Sequence, residues 1–330
     1  MSAAPTDRCG HAAALDEAAR RLAAFVARDA PLAPLTTYRV GGTAALLASP
    51  TSLDDLRLVA SVVRDLALPV LVVGRGSNLL VADSGFGGIA GVLGGVADPC
   101  DRLEGDPAGE VTAGASVALP VVARRTVGAG LVGFEWAVGV PGSVGGAVRM
   151  NAGGHGSDIA GSIRTAWVLD LHSGREGQVA ADRLGLRFRG SDLADHQVVL
   201  SATFALEPGP DGSTEGEVAL AEVVRWRREH QPGGQNAGSV FVNPIPGELA
   251  AAQLIESCGL RGMRMGSAAV SDKHANFIQS SDGGSAADVR AVLEHVRRVV
   301  HERTGHLLRS EIRLVGFDDV EPEDRPGVSW

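Results

Sequence analysis

The chain has 330 residues, a formal net charge of −9, and 45% hydrophobic but only 4% aromatic residues. At about 150 residues per domain, this length accommodates two or three domains with sizeable cores and is not that of a disordered chain. The acidic balance, without a basic run, argues against nucleic acid or anionic membrane as partner, and the low aromatic content argues against a stacking platform for single strands. No apolar run is long enough for a bilayer, and the opening MSAAPTDRCGH lacks the basic-then-apolar pattern of a secretory signal. Cys9, Cys100 and Cys258 are odd in number and widely spaced, with no CxxC. They read as reduced thiols of a cytoplasmic protein, and the histidines show no paired ligand spacing, so no metal is expected.

In chain order, residues 1–12 read as a loose end and 15–26 (LDEAARRLAAFV) as an amphipathic helix. Strands are predicted at 44–49 and 69–74, with helical spacing over 53–66 between them. This is an α/β alternation. Beyond Cys100 the pattern shifts to shorter strands and many glycines. A strand at 111–116 precedes a helix over 121–130, and 166–171 and 197–206 read as sheet strands. EPGPDGSTEGE (207–217) is the clearest linker, all turn formers and charge. Helices follow at 218–230, 250–258 and 286–301, with a short apolar strand at 240–242 closed by Asn243-Pro244. The acidic, proline-bearing end reads as frayed.

Two glycine-rich segments carry the chemistry. In LVVGRGSNLLV (71–81) a strand runs into Gly74-Arg75-Gly76-Ser77-Asn78. Glycines there let the backbone take positive φ and aim several N–H groups at one point, a nest for phosphate oxygens. The dinucleotide fingerprint G-x-G-x-x-G is not met, because Leu79 stands where its third glycine belongs. The second segment, VGVPGSVGGAVRMNAGGHG (138–156), is too apolar for a solvated linker. Its glycine density points to a flat ligand pressed on backbone. Together the two segments fit a dinucleotide with two ends. In AGSVFVNP (237–244), Ser239 is by residue chemistry alone either the end of a turn or a proton donor.

These segments resemble, in order along the chain, the signatures of the UDP-N-acetylenolpyruvoylglucosamine reductase family, flavoproteins of the vanillyl-alcohol oxidase superfamily. TTYRVGG (36–42), GRGSNLL (74–80), GVPGSVGGAVRMNAG (139–153), LRFRGSDL (186–193), AGSVFVNP, SDKHANFI (271–278) and LLRSEIRLVG (307–316) carry the resemblance. It implies an α+β fold. An FAD-binding unit would span 30–206, with subdomains of about 30–98 and 99–206. A linker at 207–216 would lead to a C-terminal substrate-binding domain at 217–318. An N-terminal extension and helix (1–29) and an acidic tail (319–330) flank them.

The resemblance places noncovalent FAD on Gly74, Arg75, Gly76, Ser77, Asn78 and Leu79 of the first segment. On the second it implicates Gly139, Val140, Pro141, Gly142, Ser143, Gly145, Gly146, Asn151, Ala152 and Gly153. NADPH would reduce the flavin and leave. UDP-N-acetylglucosamine enolpyruvate would then accept hydride at its methylene carbon in the same cleft, giving UDP-N-acetylmuramate for bacterial peptidoglycan. Arg189 would face the carboxylate where negative charge develops, Ser239 would protonate the neighbouring carbon, and Glu311 would orient the site or end a proton relay. His230 would meet the substrate diphosphate, and Asn243 would hold the nucleotide part of the substrate.

The chain departs from the family pattern at two positions. His230 stands where lysine is common, which lowers the charge offered to a diphosphate at neutral pH, with Arg227 or Arg228 available to compensate. Phe188 stands where tyrosine is frequent. Tyr38 is the only tyrosine, so the tyrosine loop that caps substrate in one subtype is absent. The alternatives are an FAD-dependent alcohol or sugar oxidase of the same superfamily and a catalytically inactive flavin-binding module. Against the first, GRGSN has no histidine for covalent flavin attachment; against the second, Arg189, Ser239 and Glu311 are all present.

Overall fold

The computed structural model describes residues 7–96, 103–106, 109–209 and 214–317. Cys100, part of the expected linker and the acidic tail at 319–330 lie outside the described residues. Cys9 is exposed and Cys258 buried, both as free thiols. No helix of the described residues is long and apolar enough to cross a membrane.

The first unit departs from expectation at its start. Helix α1 (Asp7–Arg21) begins inside the stretch read as a loose end and stops before Val26, which instead opens a strand, Val26–Pro31. Burial of Ala18 and Leu22 against the core shared with α2 holds the helix. Ladder pairing of Val26 with Ala48, and the bond from Ser49 N–H to Phe25 O (2.8 Å), draw the following residues into the sheet. Helix α2 (Leu53–Leu66) matches its predicted bounds, because a capping box starts it. Ser52 Oγ accepts from Asp55 N–H (3.1 Å), and the Asp55 carboxylate accepts from Ser52 N–H (3.0 Å). The sheet orders Val26–Pro31, Thr43–Ala48, Phe86–Val92 and Val70–Val73, the first pair antiparallel and the rest parallel. Strand Val70–Val73 therefore ends at the first glycine segment.

The second unit is a five-stranded antiparallel sheet. Its order is Glu176–Ala180, Ile163–Asp170, Gln197–Ala205, Glu110–Gly114 and Leu103–Gly105. Helices α3 (Leu119–Gly128) and α4 (Val144–Met150) share its core through Leu119, Val122, Val144 and Val148. The second glycine segment is thus not loop throughout: its centre is helical because Val144, Ala147 and Val148 bury one face.

Helix α5 (Thr214–His230) places Val223 in this same core. Beyond it, α6 (Ala251–Ser257), α7 (Ala286–Thr304) and a three-stranded sheet of Arg264–Met265, Ala268–Val270 and Ile278–Ser280 form a third core. The predicted strand at 240–242 is corrected here. Phe241 makes a single bridge to Ser310, and all three side chains are buried, so there is no alternating face. The backbone is held instead by Asn276, whose Oδ1 accepts from Phe241 N–H (2.9 Å) and whose Nδ2 donates to Phe241 O (2.8 Å).

A strand pairing and a helix cap are among the links that tie the third unit to the first. Strand Arg313–Val315 lies parallel to Leu79–Val81, directly after the first glycine segment. The Asp83 carboxylate accepts from the first N–H groups of α7, Ala286 and Ala287, each at 2.9 Å. Tyr38 is fully buried in the third core.

Candidate active site

A cavity of about 760 Å³ opens where the three units meet. The first glycine segment forms one wall. Gly76 has φ +59°, and a Cβ there would sit 1.9 Å from the carbonyl oxygen of Leu35, so only glycine fits. Its own carbonyl accepts from Thr37 N–H (3.1 Å), which braces the segment on the TTYRVGG motif. The N–H groups of Arg75, Gly76, Ser77 and Asn78 find no protein acceptor among the described residues. Four successive amides without a protein acceptor could hold the pyrophosphate of an FAD molecule. Gly76→Ala is expected to abolish flavin retention, measured as the ratio of flavin to protein absorbance after purification. A protein that keeps its flavin would refute this placement.

The second segment lines the same cavity and meets the first, with Ser143 Oγ 2.8 Å from where a Cβ on Gly74 would stand. All of its expected cofactor residues line the cavity except Asn151. Asn151 is buried and works from behind. Its Nδ2 donates to Asp158 (3.0 Å) and to Arg187 O (3.1 Å), and its Oδ1 accepts from Ala160 N–H (2.9 Å). It thereby anchors the tight turn that presents Arg189.

Arg189, Ser239 and Glu311 come from three separate parts of the chain and line this one cavity. Arg189 sits at φ +56°, between Arg187 and Gly190, which exchange both backbone hydrogen bonds. A residue other than glycine in that region stores strain, and strain of this kind persists where the surroundings fix it. Its guanidinium donates to Gly153 O (2.9 Å) and pairs with Glu311 at 3.2 Å. Glu311 is placed by its backbone: its N–H donates to Val240 O (2.7 Å), and its carbonyl accepts from Asn78 Nδ2 (2.9 Å). Burial pushes its carboxyl up to about 7, against the opposing pull of Arg189 and Arg309. Ser239 follows Gly238, whose φ of +79° turns the chain toward the cavity. Gly238 N–H is held by Asn236 Oδ1 (3.0 Å), and Val240 N–H by Asn276 O (2.9 Å). The Ser239 hydroxyl has no protein partner among the described residues, which leaves its proton available to a ligand.

His230 and Asn243 do not line the cavity. His230 Nδ1–H donates to Trp226 O (2.8 Å), and Asn243 Oδ1 accepts from Ala251 N–H (3.1 Å) at the start of α6. Sequence reasoning passed over Arg149, Asp195 and Arg313, a cluster in which one carboxylate receives both guanidinium groups at the cavity edge. Burial lowers the Arg149 guanidinium to about 10, with the neighbouring Arg313 adding to the shift and Asp195 opposing it. Arg313 alternates with Glu311 in the same motif, and that spacing is the one signal that could have flagged it.

A family described as the C-terminal domain of UDP-N-acetylenolpyruvoylglucosamine reductase matches residues 230–315, and an FAD binding domain matches residues 44–172. The UDP-N-acetylenolpyruvoylglucosamine reductase of Synechococcus sp. (strain RCC307) is 42% identical over 296 residues, 88% of this chain and 93% of its own. This chain belongs to the UDP-N-acetylenolpyruvoylglucosamine reductase family. A second reductase of that family, from Heliobacterium modesticaldum, is 41% identical over 87% of this chain and 89% of its own length. The crystal structure of UDP-N-acetylenolpyruvylglucosamine reductase from Thermus caldophilus superposes with a TM-score of 0.74. Its identity is 32%, over 88% of this chain and 98% of that one. The family architecture of an FAD-binding region followed by a C-terminal domain, in an α+β chain, is therefore the one present here.

Proposed function

We propose that this chain reduces UDP-N-acetylglucosamine enolpyruvate to UDP-N-acetylmuramate, with NADPH as reductant and FAD held noncovalently, in peptidoglycan precursor synthesis. The observation that carries the reading is the convergence of Arg189, Ser239 and Glu311 on one cavity whose other walls are the two glycine segments. Held by residues of those segments, FAD would supply two-electron hydride chemistry.

The chain's own residues do the rest. Arg189, clamped by Gly153 O and Glu311, offers fixed N–H donors to the substrate carboxylate beside which negative charge develops. Ser239 delivers a proton to the adjacent carbon. A serine hydroxyl is a weak acid and acts here through position, next to a strongly basic carbon. Glu311, with its carboxyl near 7, holds a proton part of the time at neutral pH and makes that proton available to the site. Arg227 lines the cavity with no ion-pair partner among the described residues and stands ready for the substrate diphosphate in place of the family's lysine.

The decisive experiment follows flavin absorbance without oxygen. Bleaching by NADPH and rapid recovery on adding the enolpyruvyl sugar supports the reaction. Recovery only with oxygen would point to an oxidase and refute it. The raised carboxyl of Glu311 gives a second expectation. Folded Glu311 keeps its proton where the unfolded carboxyl, near 4.5, has lost it, so its contribution to stability declines as pH rises from about 4.5 to about 7. Glu311→Gln removes that decline. The variant should gain melting temperature relative to the parent across this window and hold a constant difference above it, as thermal unfolding at several pH values will show.

A further inference from the structure

The last turn of α5 and the residue after it carry side chains that the reaction chemistry leaves unused. Trp226 lines the cavity, yet its side chain is one of the large apolar groups left open, 41% exposed. One indole face is covered by the His230 imidazole, with 4.7 Å between ring centres and 15° between planes. His155 meets the indole edge-on at 5.0 Å and 84°. His230 is also bonded to the Trp226 carbonyl, which fixes the imidazole that the indole stacks on. The other indole face meets no further ring among the described residues. Just past the end of α5, Gln231 lines the same cavity, and among the described residues its buried Oε1 has no donor. A buried acceptor left unpaired is costly, and such an atom marks a place where a ligand supplies the missing N–H.

We propose that the open face of Trp226 and the carboxamide of Gln231 form the seat of the uracil ring of the nucleotide-sugar substrate. The proposal rests on the reaction assigned above. Uracil is a flat imide whose N3–H lies between two carbonyls. A carboxamide complements that edge: Oε1 accepts from N3–H while Nε2 donates to the adjacent carbonyl. A base on an aromatic ring contributes stacking that is largest when the ring is already immobilised. Arg227, between these two residues in sequence, then faces the diphosphate that follows the nucleoside. His230, expected to touch the phosphates, acts instead as the backing of the indole.

The test is calorimetric titration of the flavin-loaded protein with UDP and, separately, with inorganic pyrophosphate. Trp226→Ala should weaken UDP about tenfold or more while pyrophosphate stays within about twofold; Trp226→Phe should keep UDP within about threefold of the parent. Gln231→Leu should also weaken UDP selectively, several-fold. If UDP and pyrophosphate weaken together, or UDP is unaffected by both Trp226→Ala and Gln231→Leu, the seat is overturned. Loss of flavin from Trp226→Ala would assign the indole to the cofactor and overturn it as well. If the variants show this UDP pattern but the parent's reduced flavin is not reoxidised by the enolpyruvyl sugar, the proposed reaction is refuted and the uracil seat stands.

Discussion

Replacing Ser239 by alanine will leave NADPH able to bleach the flavin and will slow recovery by the enolpyruvyl sugar about 10²- to 10⁴-fold, the usual contribution of a positioned proton donor. The two half-reactions separate because only the second needs a proton on carbon. Nothing in the fold depends on this hydroxyl. The backbone of residues 238–241 is held by Asn236 and Asn276, and among the described residues the Ser239 side chain has no protein partner to lose. A structural explanation for slow recovery is therefore excluded in advance, and an unchanged melting temperature will confirm it. Stopped-flow absorbance at the flavin band measures both rates in one sample. Recovery at the parent rate would remove Ser239 from the chemistry and return it to the role of a turn residue.

The second large effect concerns Arg189. Arg189→Ala is expected to cut recovery by about 10²- to 10³-fold, the scale of losing a preorganised donor to developing negative charge. Arg189→Lys should restore little of it, because an ammonium lacks the planar fork that engages Gly153 O and Glu311 together with a carboxylate. The backbone gives an independent check. At φ +56°, Arg189→Gly relieves strain that Arg189→Ala retains, so the glycine variant should be the more stable of the two by about 1 kcal/mol while equally inactive. Removing the guanidinium also removes the stronger of the two positive charges that oppose Glu311 protonation, so that carboxyl should climb further in both variants. Equal recovery rates in the parent and Arg189→Ala would refute the assignment.

Much of this was legible in the chain because it is written in local chemistry. Helix α2 is announced by Ser52 and Asp55 three residues apart, followed by helical apolar spacing. The glycine segments are legible because backbone approach and positive φ leave glycine as the residue that fits, as at Gly76. What stayed hidden depends on partners far away in sequence. Val240-Phe241-Val242 has strand composition, yet Asn276 and the segment at 309–311 satisfy its backbone one group at a time, and no ladder forms. Asn151 sits inside a cofactor motif but spends its amide on Asp158, Ala160 and the Arg187 turn. Trp226 lies among the charges of α5, where an aromatic reads as one more residue of a core-facing stripe. Its exposure at the cavity appears only in three dimensions.

The parallel pairing of Arg313–Val315 with Leu79–Val81 has a consequence for biogenesis. A ribosome delivers the first glycine segment long before it delivers Glu311, and a parallel partner that distant carries a loop-closure cost that local contacts do not offset. The strand beside the nest, and the Asn78 bond to the Glu311 carbonyl, therefore form only once synthesis has passed nearly the whole chain. Nascent chains interrupted before residue 311 hold both glycine segments yet lack the strand that closes them. If the nest needs that strand to hold flavin, a yellow molecule is one whose synthesis ran past residue 315.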